Sequence, residues 1–216
     1  MAKGPITGWI HEPLSALLGT RGKVAALRIL WRASVPLPFR EVVRRSGMAY
    51  RSIDLALGEL IAVGIVEEEA GAGRERRVRL SSGHRLAAPL KNLLQMESDH
   101  FAALRVELRA VATALLADGL LAASLVGGIA RRTERLGSDV EVVLIARDAA
   151  AERATRQRFT AALDGIRARY GVTFHLIAYD LATARTMWQT RTAAAMREVR
   201  DAEHLAGSSL SDVLAA

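Results

Sequence analysis

The sequence predicts an α/β (α+β) protein of two domains: a small helical domain closed by a β-hairpin, and a larger one built on a mixed sheet flanked by helices. Three observations predict this. Apolar residues recur at helical spacing from Gly22 to Ala62, then give way to two short runs around Gly71-Ala72-Gly73. From Leu120 onward, strand-length apolar runs alternate with helical stretches, the pattern of a sheet covered by helices. Charge and proline also shift along the chain: residues 1–88 hold 14 Lys/Arg against 8 Asp/Glu, residues 89–216 hold 16 against 15, and all five prolines lie at or before Pro89. The expected divisions are a lead-in (1–21), a basic domain (22–82), a linker helix (83–100) and a near-neutral domain (101–216), with the break in the turn Ser81–Pro89.

Composition bounds the function classes. Half of the 216 residues are apolar, enough for a buried core and unlike a disordered chain. There is no cysteine, which excludes disulfides and thiolate metal sites and fits a cytoplasmic protein. No apolar stretch reaches the roughly 18 residues of a membrane span, and MAKGPITGWIHEP lacks the apolar centre of a secretory leader. The expected location is cytoplasmic, with no membrane partner.

In the first domain, Val24, Leu27, Leu30 and Trp31 mark a helix that Pro36 and Pro38 close. Phe39–Arg45 gives a second helix with Phe39, Val42 and Val43 inward, and Gly47 makes the turn. A third, Ala49–Ala62, buries Ile53, Leu57, Leu60 and Ile61 and stops at Gly64. Ile65-Val66, three glutamates, the glycine turn and Arg76–Leu80 then form a hairpin. Three helices followed by a basic hairpin is the order of a winged helix-turn-helix. Residues 20–82, with PLPFREVVRRSGMAYRSIDLALGELIAVGIVEEEAGAGRERRVRLS at their centre, resemble the DNA-binding domains of bacterial regulators of the MarR and ArsR kinds. The resemblance implies that the third helix enters the major groove of double-stranded DNA while the hairpin tip lies along the backbone or minor groove.

With Ile53 and Leu57 inward, Tyr50, Arg51, Ser52, Asp54 and Leu55 fall near the exposed start of the third helix. Arg51 suits a guanine edge, and Tyr50 and Ser52 suit phosphates. Arg74, Arg76, Arg77 and Arg79 crowd the hairpin as candidate phosphate contacts; alternation sets Arg77 and Arg79 on one side and Arg76 with Val78 on the other. The alternative is a winged helix used for protein contacts, with these arginines solvated.

Between the domains, Leu90, Leu94, Phe101, Leu104, Leu108, Val111 and Leu115 fall mostly at three- and four-residue steps, with Glu97 breaking the seam. Two uses are open. Phe101–Leu115 would cover the following sheet, or Leu90–Phe101 would form a homodimer contact that spaces two wings on a palindromic site.

The second domain is expected to run strand (Leu120–Val126), short helix (Ile129–Arg135), strand (Val140–Ala146), helix (Ala149–Tyr170) and strand (Val172–Ala178). A helix capped by Asp180 follows through Trp188, then another over Thr192–Glu203. The stretch that carries chemistry is Ser124–Ile145, SLVGGIARRTERLGSDVEVVLI. Asp139 and Glu141, two apart, share one face of a strand beside a glycine turn. Paired carboxylates suit Mg²⁺ carrying a nucleoside triphosphate, and Gly127 and Gly128 let backbone approach phosphate closely.

This stretch resembles the signature of the DNA polymerase β-like nucleotidyltransferases: a glycine-serine turn, a short helix often reading Ala-Arg-Gly, then Ser-Asp-apolar-Asp. Gly127, Ala130, Arg131, Ser138 and Asp139 match it, and Tyr179–Gly207 resembles the end of such domains. Three positions depart. Gly128 replaces the serine, Glu141 the second aspartate, and His175 falls where a third carboxylate belongs. The resemblance implies a nucleotide seated by Gly127, Gly128, Arg131, Arg132 and Ser138, with Mg²⁺ at a weakened site of Asp139 and Glu141.

Without its third carboxylate the site is expected to have lost transfer chemistry. The expected function is a DNA-binding transcriptional regulator, a homodimer whose second domain is inactive and senses a nucleotide or another phosphorylated ligand. The alternative is a Mg²⁺-dependent nucleotidyltransferase acting on a small-molecule or protein hydroxyl, with His175 as base. A third is a scaffold that binds nothing, Arg131, Arg132 and Arg135 being solvated.

Overall fold

The computed structural model describes residues 11, 18, 20–71, 75–189 and 199–215, and divides into two compact units, residues 12–99 and residues 100–216 together with 1–11. In the first unit, helices α1 (Arg21–Leu30), α2 (Phe39–Ser46) and α3 (Tyr50–Ala62) meet around Val24, Leu27, Leu30, Phe39, Val42, Ile53, Leu57 and Leu60. Trp31, Val43 and Ile61 pack at the margin of this core. Gly47, at φ 62, ends α2 in the left-handed conformation that lets the chain turn at once into α3.

Strands β2 (Val66–Ala70) and β3 (Arg76–Leu80) form the hairpin, paired Val66 to Leu80 and Ala70 to Arg76. The sequence marks Pro36 and Pro38 only as a break, but Leu37–Pro38 forms a short strand β1 on the far side of β3, in the order β1-β3-β2. An edge strand tolerates proline because an outward-facing N–H has no ladder partner to lose.

Helix α4 (Ala87–Ala114) is one continuous element of 28 residues, where the pattern predicts a linker helix and a separate covering helix. Leu94 joins the core of the first unit; Phe101, Leu104, Leu108 and Ala112 join that of the second. The division falls within this helix, between Asp99 and His100, and not in the turn Ser81–Pro89. Composition changes at the turn, but burial of Leu94 keeps the following residues with the first core. Leu94 and Phe101, offered as homodimer contacts, are buried in these cores. Glu97 is no flaw in the seam. It is buried and accepts two hydrogen bonds from Arg28, Nε to Oε2 at 2.8 Å and Nη2 to Oε1 at 2.5 Å, the bidentate pairing that a buried carboxylate requires.

The second unit continues through β4 (Leu120–Val126), α5 (Gly127–Ala130), β5 (Val140–Ala146), α6 (Ala149–Tyr170), β6 (Phe174–Asp180), α7 (Leu181–Gln189), β7 (Glu203–Gly207) and α8 (Leu210–Ala215). Its sheet has the order β6-β5-β4-β7, with β5 parallel to β6 and the other pairs antiparallel. Leu125, Val140, Val142, Leu144 and Ala178 share one core with α4 and with Phe159, Leu163 and Ile166 of α6. Ala122, Val126 and Ile145 share a second, smaller core with Ala184, Leu210 and Val213. The architecture is α/β, a mixed sheet flanked by helices.

Helix α6 has the bounds its pattern predicts. Asp148 caps it, accepting from Ala150 N at 3.0 Å and Ala151 N at 2.8 Å. Those backbone N–H groups, with Arg147 next, hold the Asp148 carboxyl below its ordinary range.

Three expectations are corrected. The helix over Ile129–Arg135 is a single turn, α5, after which the chain is irregular. The strand expected at Val172–Ala178 is shifted, so Asp180 is its last residue and not beyond it. The helix expected over Thr192–Glu203 lies largely outside the described residues, and Glu203 begins β7, which the sequence did not reveal. EHLAG has no β-branched residue; it is extended because it pairs with β4, a distant partner. Among the described residues no helix is long and apolar enough to cross a membrane.

Candidate functional site

In the first unit, α3 begins at Tyr50 behind Ala49, and no side chain caps its free N–H groups. Tyr50, Arg51 and Ser52 are all exposed there. The Tyr50 ring lies 5.3 Å from that of Phe39. Pro38, Phe39, Arg40, Tyr50, Glu75 and Arg76 line a cleft of about 400 Å³. Arg40 was not singled out from the sequence, yet it is exposed and makes no side-chain ion pair or hydrogen bond among the described residues. Its signal was only its place one residue into α2, which matters once α2 and α3 start side by side.

The hairpin arginines are arranged differently. Arg76 turns inward over the Phe39 ring at 4.8 Å and binds Glu68 at 2.7 Å and Asp54 at 3.4 Å. Arg77 binds Glu75 at 3.0 Å, and Arg79 binds Glu67 at 2.7 Å and Glu69 at 3.1 Å. Arg74 lies outside the described residues. The side-chain alternation follows the sequence pattern, with Val78 and Leu80 buried on the Arg76 side. What the pattern left out is the partner strand, since β2 carries three consecutive glutamates into register with β3. The pairing lowers the carboxyl pKa of Glu67, first through the Ser81 hydroxyl and then through Arg79, and that of Glu68 through Arg76. Glu41 on α2 falls to about 2 through hydrogen bonds from Arg44 and Arg45.

In the second unit the glycine turn and the acidic strand meet. Gly127 has φ 75, and a Cβ there would lie 2.3 Å from Glu141 Oε1. The positive φ requires glycine, and the close approach places the half-buried Glu141 carboxylate against the turn. Gly128 packs against the backbone of Glu134, whose Cα would lie 3.4 Å from an added Cβ. Ser138 Oγ accepts from Arg135 N at 2.9 Å, and Arg135 O accepts from Ser138 N at 2.9 Å, so Ser138 closes the turn that leads into β5. Asp139 is exposed and accepts a hydrogen bond from the Thr173 hydroxyl.

The parallel register of β5 and β6 sets His175 beside Glu141, one residue past Val140 and Phe174. Asp180 sits beside Ala146, five residues further along β6, roughly 16 Å away at strand rise. It caps α7 instead, accepting from Thr183 N at 3.0 Å and Thr183 Oγ at 2.7 Å. Asp180 is therefore no substitute for the absent third carboxylate. Among the described residues no group of three or more His, Asp or Glu side chains is placed to hold a metal ion. Mg²⁺ prefers oxygen ligands, and His175 offers nitrogen where Asp139 and Glu141 would need a further oxygen ligand. The residues present do not fit a complete Mg²⁺–nucleotide centre.

Between α5 and β5 the backbone is held by bonds from Thr133 N to Gly128 O at 2.8 Å and from Arg132 N to Ile129 O at 3.1 Å. Arg132 has φ 57, left-handed and otherwise confined to glycines among the described residues. Arg131, Arg132 and Arg135 are exposed. Glu134 between them points the other way: it is buried and accepts from or shares a proton with His11 Nδ1 at 2.7 Å. His11 in turn lies 4.2 Å from the Phe101 ring. No local signal marks this couple, whose members are 123 positions apart.

No protein-family model matches the sequence, and no curated protein matches it. Solved structures similar to part of the chain include one described as a toxin–antitoxin with AMP-PNP, at 19% identity over 50% of this chain and 81% of that one, with a TM-score of 0.30. Another, described as a mutant of the toxin–antitoxin MntA–HpeT, is 19% identical over 47% of this chain and 77% of that one, with a TM-score of 0.28.

Proposed function

We propose that this protein is a cytoplasmic, DNA-binding transcriptional regulator whose C-terminal domain is nucleotidyltransferase-like, has lost transfer chemistry, and holds a nucleotide or another phosphorylated ligand. The observation that carries the loss of chemistry is the pairing of Glu141 with His175 across β5 and β6, with no third carboxylate placed to complete a metal site among the described residues. DNA binding is supported by the start of α3, where Arg51, Tyr50 and Ser52 are exposed around an uncapped helix end and Arg40 is unpaired beside them. Backbone phosphate suits the free N–H groups, and a guanidinium suits a guanine edge. The hairpin contributes less charge than its arginines imply, because those described are held by glutamates. A homodimer on a palindromic site is part of the proposal. Enrichment of random duplexes on the full chain, followed by anisotropy titration, tests it. A selected duplex should lose at least about tenfold in affinity with Arg51→Ala; failure to enrich any sequence overturns DNA recognition.

A second function, Mg²⁺-dependent nucleotidyl transfer, is favoured by one observation: the Glu141 carboxylate is built directly against the Gly127 turn. Calorimetric titration with each nucleoside triphosphate, with and without Mg²⁺, separates the two. Mg²⁺-dependent binding lost in Asp139→Ala would support the enzyme. Binding indifferent to Mg²⁺ supports a sensor, and absence of binding to any phosphorylated compound leaves a scaffold.

A further inference from the structure

In the second unit nine of the thirteen described arginines are engaged. Arg105, Arg147, Arg156, Arg158, Arg167, Arg169 and Arg200 pair with carboxylates, and Arg109 and Arg185 bind backbone carbonyls. Four described arginines there have no side-chain ion pair or hydrogen bond, namely Arg131, Arg132, Arg135 and Arg153. Three of the four fall within five residues of one turn. The carboxylate within that turn, Glu134, is withdrawn into the interior against His11, leaving the arginine charges uncompensated on the surface. Burial of a carboxylate is costly and a surface Glu134 would be the nearest counter-charge, so the turn is arranged against its own neutralisation. Arg132 is moreover held at φ 57, a left-handed conformation unfavourable for a non-glycine residue and the kind of strain that collects at functional sites.

We propose that the turn Arg131–Arg135 docks the phosphodiester backbone of a nucleic acid strand. This deepens the phosphate-binding role proposed above for the C-terminal domain and is independent of DNA recognition by α3. A strand fits better than a mononucleotide because the arginines are solvent-open and individually weak, and gain strength together by displacing counterions from a repeated phosphate.

The test uses the full chain carrying Arg51→Ala, so that α3 is weakened equally throughout. Binding of labelled oligo-dT, oligo-U and a duplex, each about 20 nucleotides long, is followed against salt. Adding Arg131→Ala, Arg132→Gly and Arg135→Ala should weaken strand binding more than tenfold at about 0.1 M salt and reduce the slope of log K against log salt by about 2, the value for three single-strand phosphates. Arg132→Gly relieves the backbone strain, so this variant is expected to fold, and its melting temperature confirms that. Preference between oligo-dT and oligo-U distinguishes DNA from RNA as the source of the phosphates. An unchanged slope, or no strand binding before the arginines are removed, overturns the proposal. Binding of ATP or inorganic triphosphate without strand binding would overturn it while leaving the phosphorylated-ligand function standing.

Discussion

The hairpin Val66–Leu80 and the turn Arg131–Ser138 both stand out as arginine-rich, with four arginines in the first and three in the second. They differ in where their carboxylates go. Along the hairpin, Glu67, Glu68, Glu69 and Glu75 lie at the surface among the arginines and bind Arg76, Arg77 and Arg79. In the turn, the one carboxylate is buried against His11 and the guanidiniums are left alone. Exposed ion pairs contribute little to stability, but they compete with any phosphate that approaches. Arginine count therefore misjudges both regions: the described hairpin arginines are paired with carboxylates, and those of the turn are not.

The largest effect is expected at the base of the turn. Gly127→Ala imposes an unfavourable φ and shifts the end of the Glu141 side chain, and should cost about 1–2 kcal/mol of stability in urea denaturation. Adding Glu141→Ala should recover the part due to collision and leave the part due to backbone conformation; full recovery would mean that φ 75 carries no strain. Next, Arg132→Gly should stabilise the second unit by roughly 0.5–1 kcal/mol, the strain relieved less the entropy glycine loses on folding. Destabilisation would show that the Arg132 side chain makes a contact that outweighs its backbone.

A smaller effect is expected in the hairpin. Glu67→Gln with Glu69→Gln releases Arg79 while sparing the hydrogen bond that Glu67 accepts from Ser81. Duplex affinity should rise a few-fold and its salt slope steepen by about one phosphate. No change would mean that phosphate already displaces these glutamates freely, and the contrast between the two regions would fail.

The smallest effect is with pH. The folded-state pKa values of Glu67, Glu68 and Glu41 are depressed, so their contribution is present above the unfolded value of 4.5 and is lost as pH falls toward about 2, the value for Glu41. Thermal melts across that range should show the first unit weakening as those pairs protonate, with added salt reducing the difference.

Much of the fold was legible because its signals are local. Val24, Leu27 and Leu30, then Ile53, Leu57 and Leu60, repeat at helical spacing and are buried. The helix Ala149–Tyr170 has the bounds its spacing predicts, and the alternation in Arg76–Leu80 separates Arg76 from Arg77 and Arg79. In the candidate site the glycine turn and the acid pair could be located from spacing, because strand period fixes which residues share a face; that His175 lies beside Glu141 rests on the pairing of β5 with β6.

The sequence by itself thus determined the helices of the basic domain and the apolar strands β4 and β5. Local spacing and side-chain type are sufficient for those. Tertiary structure alone decided that EHLAG is a strand and that Glu97 belongs to Arg28; the cap that Asp180 makes on α7 was already legible in the sequence. It also decided which arginines remain free. Charge is written in the sequence, but its compensation depends on where distant carboxylates are brought by strand register and burial, as with Glu67 beside Arg79 and Glu134 against His11.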